Sequence, residues 1–511
     1  MGKRFETVVD RFDGGMVSDP RDRREGTCRF TSNFNISENP QRLIPYPDTE
    51  DGGGGTSKKQ NFALARRTGT THSIYSLGVQ SGASDAQVLY KNLTTGLSND
   101  LDDTGWATPS NNEQGTGSSV SFDCFVAYRN QDEIYSIRDS QFIQAFSPTG
   151  SAWIDTEIDL GSGINNVAQG LVHSKDDICY IPYDNKIASK NGSSGFSVTA
   201  LTLPAHLFIT SIAEFGNLLA IACSPLSKLG NSVVYLWDRN SSLATLTENI
   251  DWGQGQLLVL DTVQGELIGI SLLGNLTPYV ERYSIVFKRF VRGVGAVPFE
   301  RLYTETSVRS SHVAKAKQIY DNRLYFMMEL TVAGSDRIGV WSVGRSPLTG
   351  EFTVVLERPL DNDTSRITAN LHNFIIVGDV IIMAFDDSGF LVRKTNATVA
   401  YSATKSIYET SIFRLEGASF KKDLVGVTLE CEPLGSNGNL DLFFQTDADI
   451  GSGTWGSTIL TVATENDISG SAVDGLPKDY KEIQFRIEST FQAVVTALSF
   501  KEEFVGKRDY D

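Results

Sequence analysis

Histidine, cysteine and methionine each occur only five times in the 511 residues, and that scarcity narrows the available chemistry before any pattern is read. The histidines, His72, His173, His206, His312 and His372, include no pair at the i, i+4 or HExxH spacing that sets two imidazoles on one metal. The cysteines, Cys28, Cys124, Cys179, Cys223 and Cys431, are odd in number and widely spread, with no CxxC pair to hold zinc. Most lie in apolar runs such as Leu218-Leu219-Ala220-Ile221-Ala222-Cys223, so buried thiols made in a reducing cytoplasm are expected. No cofactor and no metal are expected.

Nucleophile and phosphate motifs are missing as well. There is no GxSxG elbow, and neither Gly52–Gly55 nor Gly115–Ser119 runs into the GK[ST] ending of a P-loop. Long apolar runs are absent: Phe374–Phe385 is broken by Gly378-Asp379 and is too short to span a bilayer. The opening Met1-Gly2-Lys3-Arg4-Phe5-Glu6 leads into no apolar stretch, and Glu6 stands where a myristoylation signal needs Ser or Thr. A soluble chain without membrane attachment or export signal is the expectation. Positive charge is in the minority, 45 Lys and Arg against 62 Asp and Glu, and the net charge of -17 repels a phosphate backbone. Such a surface suits a passage through which DNA slides without being gripped.

What is present points to strands and turns. The composition is 40% hydrophobic and 21% charged, with 46 Gly, 28 Phe and 17 Tyr. Residues 1–62 read as an extended arm that ends in a linker, Asp51-Gly52-Gly53-Gly54-Gly55-Thr56-Ser57-Lys58-Lys59. Within the arm Phe34, Ile36, Leu43, Ile44 and Tyr46 alternate with polar residues and prolines, the pattern of edge strands or wrapping segments.

From 63 to 402 a turn-strand-turn-strand unit recurs. Its copies start near His72-Ser73-Ile74-Tyr75, Asp132-Glu133-Ile134-Tyr135, Asp177-Ile178-Cys179-Tyr180, Gly216-Asn217-Leu218-Leu219, Gly265-Glu266-Leu267-Ile268, Asn322-Arg323-Leu324-Tyr325 and Gly378-Asp379-Val380-Ile381. Second strands follow at Val233–Trp237, Ser284–Phe287, Ile338–Trp341 and Phe390–Val392. A spacing of roughly 40 to 60 residues suits four-stranded propeller blades, about seven of which close a ring; stacked antiparallel sheets are the competing architecture. After Tyr401 the strands lengthen, near Ile407–Leu415, Leu424–Glu430, Leu440–Gln445, Ile459–Val462, Glu482–Glu488 and Val494–Phe504. In Ile483-Gln484-Phe485-Arg486-Ile487-Glu488 apolar and polar residues alternate, as in a sandwich strand with one solvated face. The expected fold is therefore all-β: a β-propeller over 63–402, then a C-terminal β-sandwich over 403–511.

Isolated features carry little chemistry. Asp386-Asp387-Ser388-Gly389 faintly matches a calcium loop or an Asp box but lacks the remaining ligands, and reads as a tight turn. Trp106, Trp153, Trp237, Trp252, Trp341 and Trp455 are available as sugar-stacking platforms, although three follow strand patterns and read as core.

At Arg11-Phe12-Asp13-Gly14-Gly15-Met16-Val17-Ser18-Asp19-Pro20, then Asn33-Phe34-Asn35-Ile36 and Asn39-Pro40-Gln41-Arg42-Leu43-Ile44-Pro45-Tyr46, the chain resembles the opening of bacteriophage tail structural proteins, the nozzle and tail-tube type of short-tailed phages. The resemblance implies a non-catalytic nozzle or tail-tip ring of identical subunits around the DNA passage, located in the virion after synthesis in the host bacterial cytoplasm. Its implied partners are further copies of the chain, an adaptor, tail fibres and passing DNA. Phe12, Arg21, Arg23, Arg24, Phe34, Ile36 and Tyr46 are the expected interprotein contacts. The alternative is a glycan-binding or glycan-cleaving propeller that uses aromatic platforms and paired carboxylates. A third reading, a cellular propeller scaffold, lacks the recurrent Trp-Asp or kelch Gly-Gly signatures at fixed positions.

Overall fold

The structure, a computed structural model, describes residues 4–17, 27–32, 34–37, 39–46, 49–51, 57–68, 71–80, 86–93, 120–128, 133–138, 141–148, 152–192, 195–225, 230–240, 248–277, 280–304, 313–332, 335–359, 370–378, 380–386, 390–395, 405–414, 421–450 and 455–505. The chain forms two compact units, a larger one of 49–330 with 365–398 and a smaller one of 1–48, 331–364 and 399–511.

Strand after strand pairs antiparallel with its predecessor, which gives one sheet per sequence repeat. The sheets start at Ser57–Thr68, Val120–Tyr128, Leu171–His173, Leu207–Phe215, Gln256–Val263, Val313–Tyr320 and Asn370–Val377. Each of the seven sequence copies marks the second strand of its sheet, for example Leu218–Pro225 and Val380–Asp386. That strand is enclosed on both faces, so it reads as an unbroken apolar run and is the most legible part of each sheet. The fold is all-β, with propeller blades and a sandwich.

The seventh sheet has an unexpected fourth strand. Thr49–Asp51 pairs antiparallel with Phe390–Thr395, in the register Thr49↔Thr395 to Asp51↔Arg393. The first and last sheets of the larger unit are thereby joined by neighbouring stretches of chain, and the segment read as a linker serves as strand on both sides: Ser57–Thr68 already belongs to the first sheet. Only the ends of that segment, Asp51 and Ser57–Lys59, are placed in ladders; 52–56 lie outside the described residues.

Polar side chains stitch neighbouring blades. Ser211 Oγ donates to the Leu260 carbonyl and accepts from the Leu260 amide, both at 3.2 Å. The Gln318 amide donates to the Ile376 carbonyl at 2.9 Å and accepts from the Ile376 amide at 2.8 Å, replacing a ladder step between sheets six and seven. Lys317, with its side chain only 8% exposed, reaches from the sixth sheet to Asp261 at 2.9 Å and the Ile212 carbonyl at 2.6 Å, so one ammonium ties three blades.

The smaller unit packs two sheets face to face. One takes Arg4–Val9, Val495–Phe504, Lys422–Cys431 and Ser469–Ala472 in that order; the other takes Cys28–Ser32, Ser406–Thr410, Ile483–Thr490, Asn439–Thr446 and Leu460–Val462. Phe413, Phe485 and Phe500 meet between them, with ring centroids 4.9 Å apart for two of the pairs. The alternation of Ile483–Glu488 is present, but its polar face is covered: Gln484 is fully buried and donates to the Thr410 carbonyl at 2.8 Å, and Arg486 pairs with Glu488 at 2.7 Å. The solvated face expected from the pattern is thus an enclosed polar network.

Cys28, Cys179, Cys223 and Cys431 are buried thiols; the Cys124 side chain lies outside the described residues. Burial first, with the charge of Glu409 second, raises the Cys28 thiol far above its ordinary 9.0, and burial alone does the same for Cys223. The unfolded chain therefore ionises these thiols first, so their stabilisation is full below the ordinary value and is lost as pH rises above it. Tyr408 and Tyr480, raised by burial, act in the same direction, while Lys288, lowered by burial, acts the other way. The urea midpoint is expected to fall from about pH 8 to about pH 10, with thiol reagent uptake near pH 8 only after unfolding. A flat midpoint, or fast native labelling of Cys28 or Cys223, would contradict this account.

Candidate binding groove

The residues singled out as interprotein contacts are placed first. Phe12, Phe34 and Ile36 are fully buried in the chain's own core and present no surface to a neighbour. Phe12 stacks edge-on against Tyr408 at 5.3 Å, and its amide donates to the Pro40 carbonyl at 2.8 Å. Tyr46 is half-buried: its hydroxyl donates to Glu357 at 3.0 Å and the Arg358 guanidinium lies 3.4 Å from its ring centroid. Arg21, Arg23 and Arg24 lie outside the described residues.

The same contacts explain the Phe-x-Gly-Gly motif. Gly15 has φ +76°, and a Cβ there would stand 2.9 Å from Thr353 Cβ and 3.1 Å from Val354 N and O. Only glycine lets the backbone run this close to strand Phe352–Pro359, where the Met16 amide donates to the Val354 carbonyl at 2.8 Å. The motif secures an intramolecular strap.

Two constellations with chemically active side chains serve the framework. His173 is fully buried; its Nδ1 accepts from the Lys175 amide at 3.3 Å and faces Arg239, which is paired with Asp176. Asp176 and Arg239 come from the third and fourth sheets, so the group fastens two blades. In the sandwich, buried Lys422 pairs with buried Glu502 at 2.8 Å, and the Tyr480 hydroxyl donates to the same carboxylate oxygen. Among the described residues no three His, Cys, Asp or Glu side chains gather as metal ligands. Trp237, Trp252 and Trp341 are core residues, so they offer no sugar platforms; Trp106 and Asp387–Gly389 lie outside the described residues.

A groove of 710 Å³ lies where the outermost strand of the fourth sheet, Glu248–Gln254, runs beside the last two strands of the fifth, Val280–Val291 and Gly295–Thr304. Its wall follows strand alternation: Val286, Lys288 and Phe290 point one way, opposite Ala296, Pro298 and Arg301. A bulge between Phe287 and Lys288 sets Lys288 against Pro298 and turns the side chains into the groove. Gly253, at φ +78°, leaves room for the Lys288 ammonium, since a Cβ there would lie 3.3 Å from Nζ; that ammonium donates to the Trp252 carbonyl. Gly269 makes similar room for the indole of Trp252. At one end the tight turn through Gly293 and Gly295 carries Val294 on its tip, 73% exposed.

The electrostatics of this groove are unbalanced. Burial holds Lys288 below its ordinary value; the carboxylate of Asp251 opposes this and the guanidinium of Arg301 adds to it. Neither Lys288 nor Arg301 has a carboxylate within ion-pair distance among the described residues. Sequence reading missed the site because its residues come from four strands of two sheets. The local signals were Asp251-Trp252-Gly253 and Gly293-Val294-Gly295, which look like ordinary turn punctuation.

No family model and no curated protein matches the chain. Solved structures do match. The β-propeller domain of Cps50 (Swd1) from Myceliophteria thermophila is similar over 69% of this chain and 99% of that one, at 10% identity and a TM-score of 0.39. The WD40 repeats of RRP9 match over 69% and 99%, at 10% identity and a TM-score of 0.42, and U3-55K over 68% and 98%, at 10% and 0.43. These are likenesses of fold alone.

None of these is described as a tail protein, and the phage reading is corrected accordingly. The nozzle or tail-tip ring, its partner copies, adaptor, fibres and passing DNA, and the virion location are withdrawn. So is the glycan alternative. The physical reason lies in the strap: the apolar residues described in those segments, Phe12, Met16, Val17, Phe34, Ile36 and Leu43, are packed within the chain, so they report how this sandwich is built rather than what it assembles with.

Proposed function

We propose that this chain is a non-catalytic scaffold that holds a partner protein at the rim of its larger unit. The observation that carries this reading is the groove between the fourth and fifth blades, a cleft with an exposed apolar tip at Val294 and two cations that have no carboxylate within ion-pair distance among the described residues. Its walls are strands held by ladder hydrogen bonds, so the cleft keeps its shape before anything binds. Contacts within the chain fix the positions of the lining charges: the Lys288 ammonium donates to the Trp252 carbonyl, and Asp251 accepts from the Gly253 amide at 2.8 Å.

In the cell that makes the protein, crosslinking followed by mass spectrometry of the full-length chain is expected to recover a small set of partner proteins in constant proportion, with crosslinks to the fourth and fifth blades. Recovery of no partner, or covalent turnover of a small molecule by the purified chain, would refute the scaffold reading.

A further inference from the structure

We propose that the groove between the fourth and fifth blades takes an extended acidic segment of a partner protein, seating a carboxylate between Lys288 and Arg301 and an apolar side chain against Phe290 and Val294. The proposal rests on the scaffold reading and names the chemistry of its partner.

Charge complementarity identifies the occupant. In a chain of net charge -17, two cations share one cleft, and neither has a carboxylate partner among the described residues. They repel each other, and Asp251 compensates only in part, its Oδ1 being engaged by the Gly253 amide. A carboxylate between them removes the repulsion and gains charge-assisted hydrogen bonds from an ammonium and a guanidinium in a partly desolvated setting. The opposite end of the groove is apolar. Phe290 is braced edge-on against Phe215 at 6.3 Å, and Val294 is held outward by its two flanking glycines. A segment that alternates acidic and bulky apolar side chains matches both ends.

The backbone excludes another mode of capture. Gly295–Thr304 is the last strand of its sheet, and a free strand edge ordinarily invites an added strand. Here Pro298 supplies no N–H, and the register shift between Phe287 and Lys288 leaves Phe299 as an extra residue in this same strand, so it lacks the regular edge that an added strand needs. Recognition therefore runs through side chains. A nucleic acid fits poorly because the described lining of the cleft holds two cations beside the carboxylate of Asp251, in a strongly acidic chain.

The test uses full-length protein and a fluorescein-labelled peptide that repeats Glu-Glu-Phe, with a Lys-Lys-Phe counterpart and one in which phosphoserine replaces glutamate. Anisotropy is expected to show binding of the glutamate peptide below about 1 mM, weakened by raising salt, and no binding of the lysine peptide. Arg301→Glu is expected to weaken binding at least about tenfold while Arg301→Lys keeps most of it. Val294→Asp, which changes an exposed side chain and leaves the amide bond from Val294 to the Val291 carbonyl in place, supplies a second variant should Arg301→Glu fail to fold, and is also expected to weaken binding. Equal binding of the lysine peptide, binding of the phosphoserine peptide alone, or indifference to Arg301→Glu and Val294→Asp overturns the proposal. The two readings fail differently: partners that still crosslink to the Arg301→Glu protein at the same level leave the scaffold standing and the groove assignment refuted, whereas the absence of any partner removes the scaffold.

Discussion

A chain that starts at residue 51 is expected not to fold its smaller unit. Residues 1–50 contribute an edge strand to each sandwich sheet: Arg4–Val9 pairs with Val495–Phe504 from Arg4↔Glu503 to Val9↔Leu498, and Cys28–Ser32 pairs with Ser406–Thr410. Further along the same segment Leu43 exchanges two backbone hydrogen bonds with Val495, at 2.9 and 3.2 Å. Phe12, Met16, Val17, Phe30, Phe34, Ile36 and Leu43 are all at most 3% exposed. At about 1.5–3 kcal/mol for each buried side chain, deletion forfeits roughly 10–20 kcal/mol, an upper estimate that still matches or exceeds the 5–15 kcal/mol net stability typical of a domain. Within the larger unit the same deletion removes most of Thr49–Asp51 and uncovers an edge of the seventh sheet. The truncated protein is expected to be insoluble or to bind a hydrophobic dye, with no cooperative melt for the sandwich. A soluble truncated chain that melts like the full-length protein would show that the strap is dispensable.

Lys422→Met is expected to lower stability by about 3–5 kcal/mol, although it exchanges one long side chain for another of similar length. Lys422 and Glu502 have side chains only 3% exposed and pair at 2.8 Å. The Tyr480 hydroxyl donates to the same Glu502 oxygen at 2.8 Å, and the Tyr480 and Lys422 backbones exchange hydrogen bonds at 2.8 and 3.1 Å. Removing the ammonium strands a carboxylate in the core, where Coulomb attraction had offset its desolvation. The double variant Lys422→Met, Glu502→Leu is expected to recover most of the loss, because a neutral pair carries no charge to desolvate. Urea unfolding of the two variants beside the parent measures this. A single-variant loss under about 1 kcal/mol, or a double variant no better than the single, would mean that the pair is not what holds this corner together.

Legibility in the sequence followed enclosure. The second strand of every blade was readable because burial on both faces writes a continuous apolar run, as in Leu218–Cys223 with side chains at or near zero exposure beyond Leu218. All six strands expected after Tyr401 are present, since each has one face on the sandwich core. Short partners without such a run, Ser469–Ala472 and Thr49–Asp51, left no local trace. Phe34 and Ile36 were recognised as strand-like, yet their destination was misjudged: alternation says that a face is buried, not whether the burying surface belongs to the same chain.

The sequence by itself determined an all-β chain, the recurrence that places one strand in each of seven sheets, and the alternation of the C-terminal strands; the lengthening expected after Tyr401 is not there, since blade strands such as Glu266–Thr277 run to 12 residues and the described sandwich strands to 10 at most. The three features determined are properties of period and turn chemistry, which act between residues a few positions apart. Only the tertiary structure decided that the N-terminal segment straps its own sandwich, that Thr49–Asp51 completes a sheet begun more than three hundred residues later in the chain, and that Lys288 and Arg301 face one groove beside Trp252. Each depends on pairing between distant strands, or on a single bulge that redirects side chains. Strand register across such separations is selected by the whole set of buried contacts rather than by any one stretch of sequence.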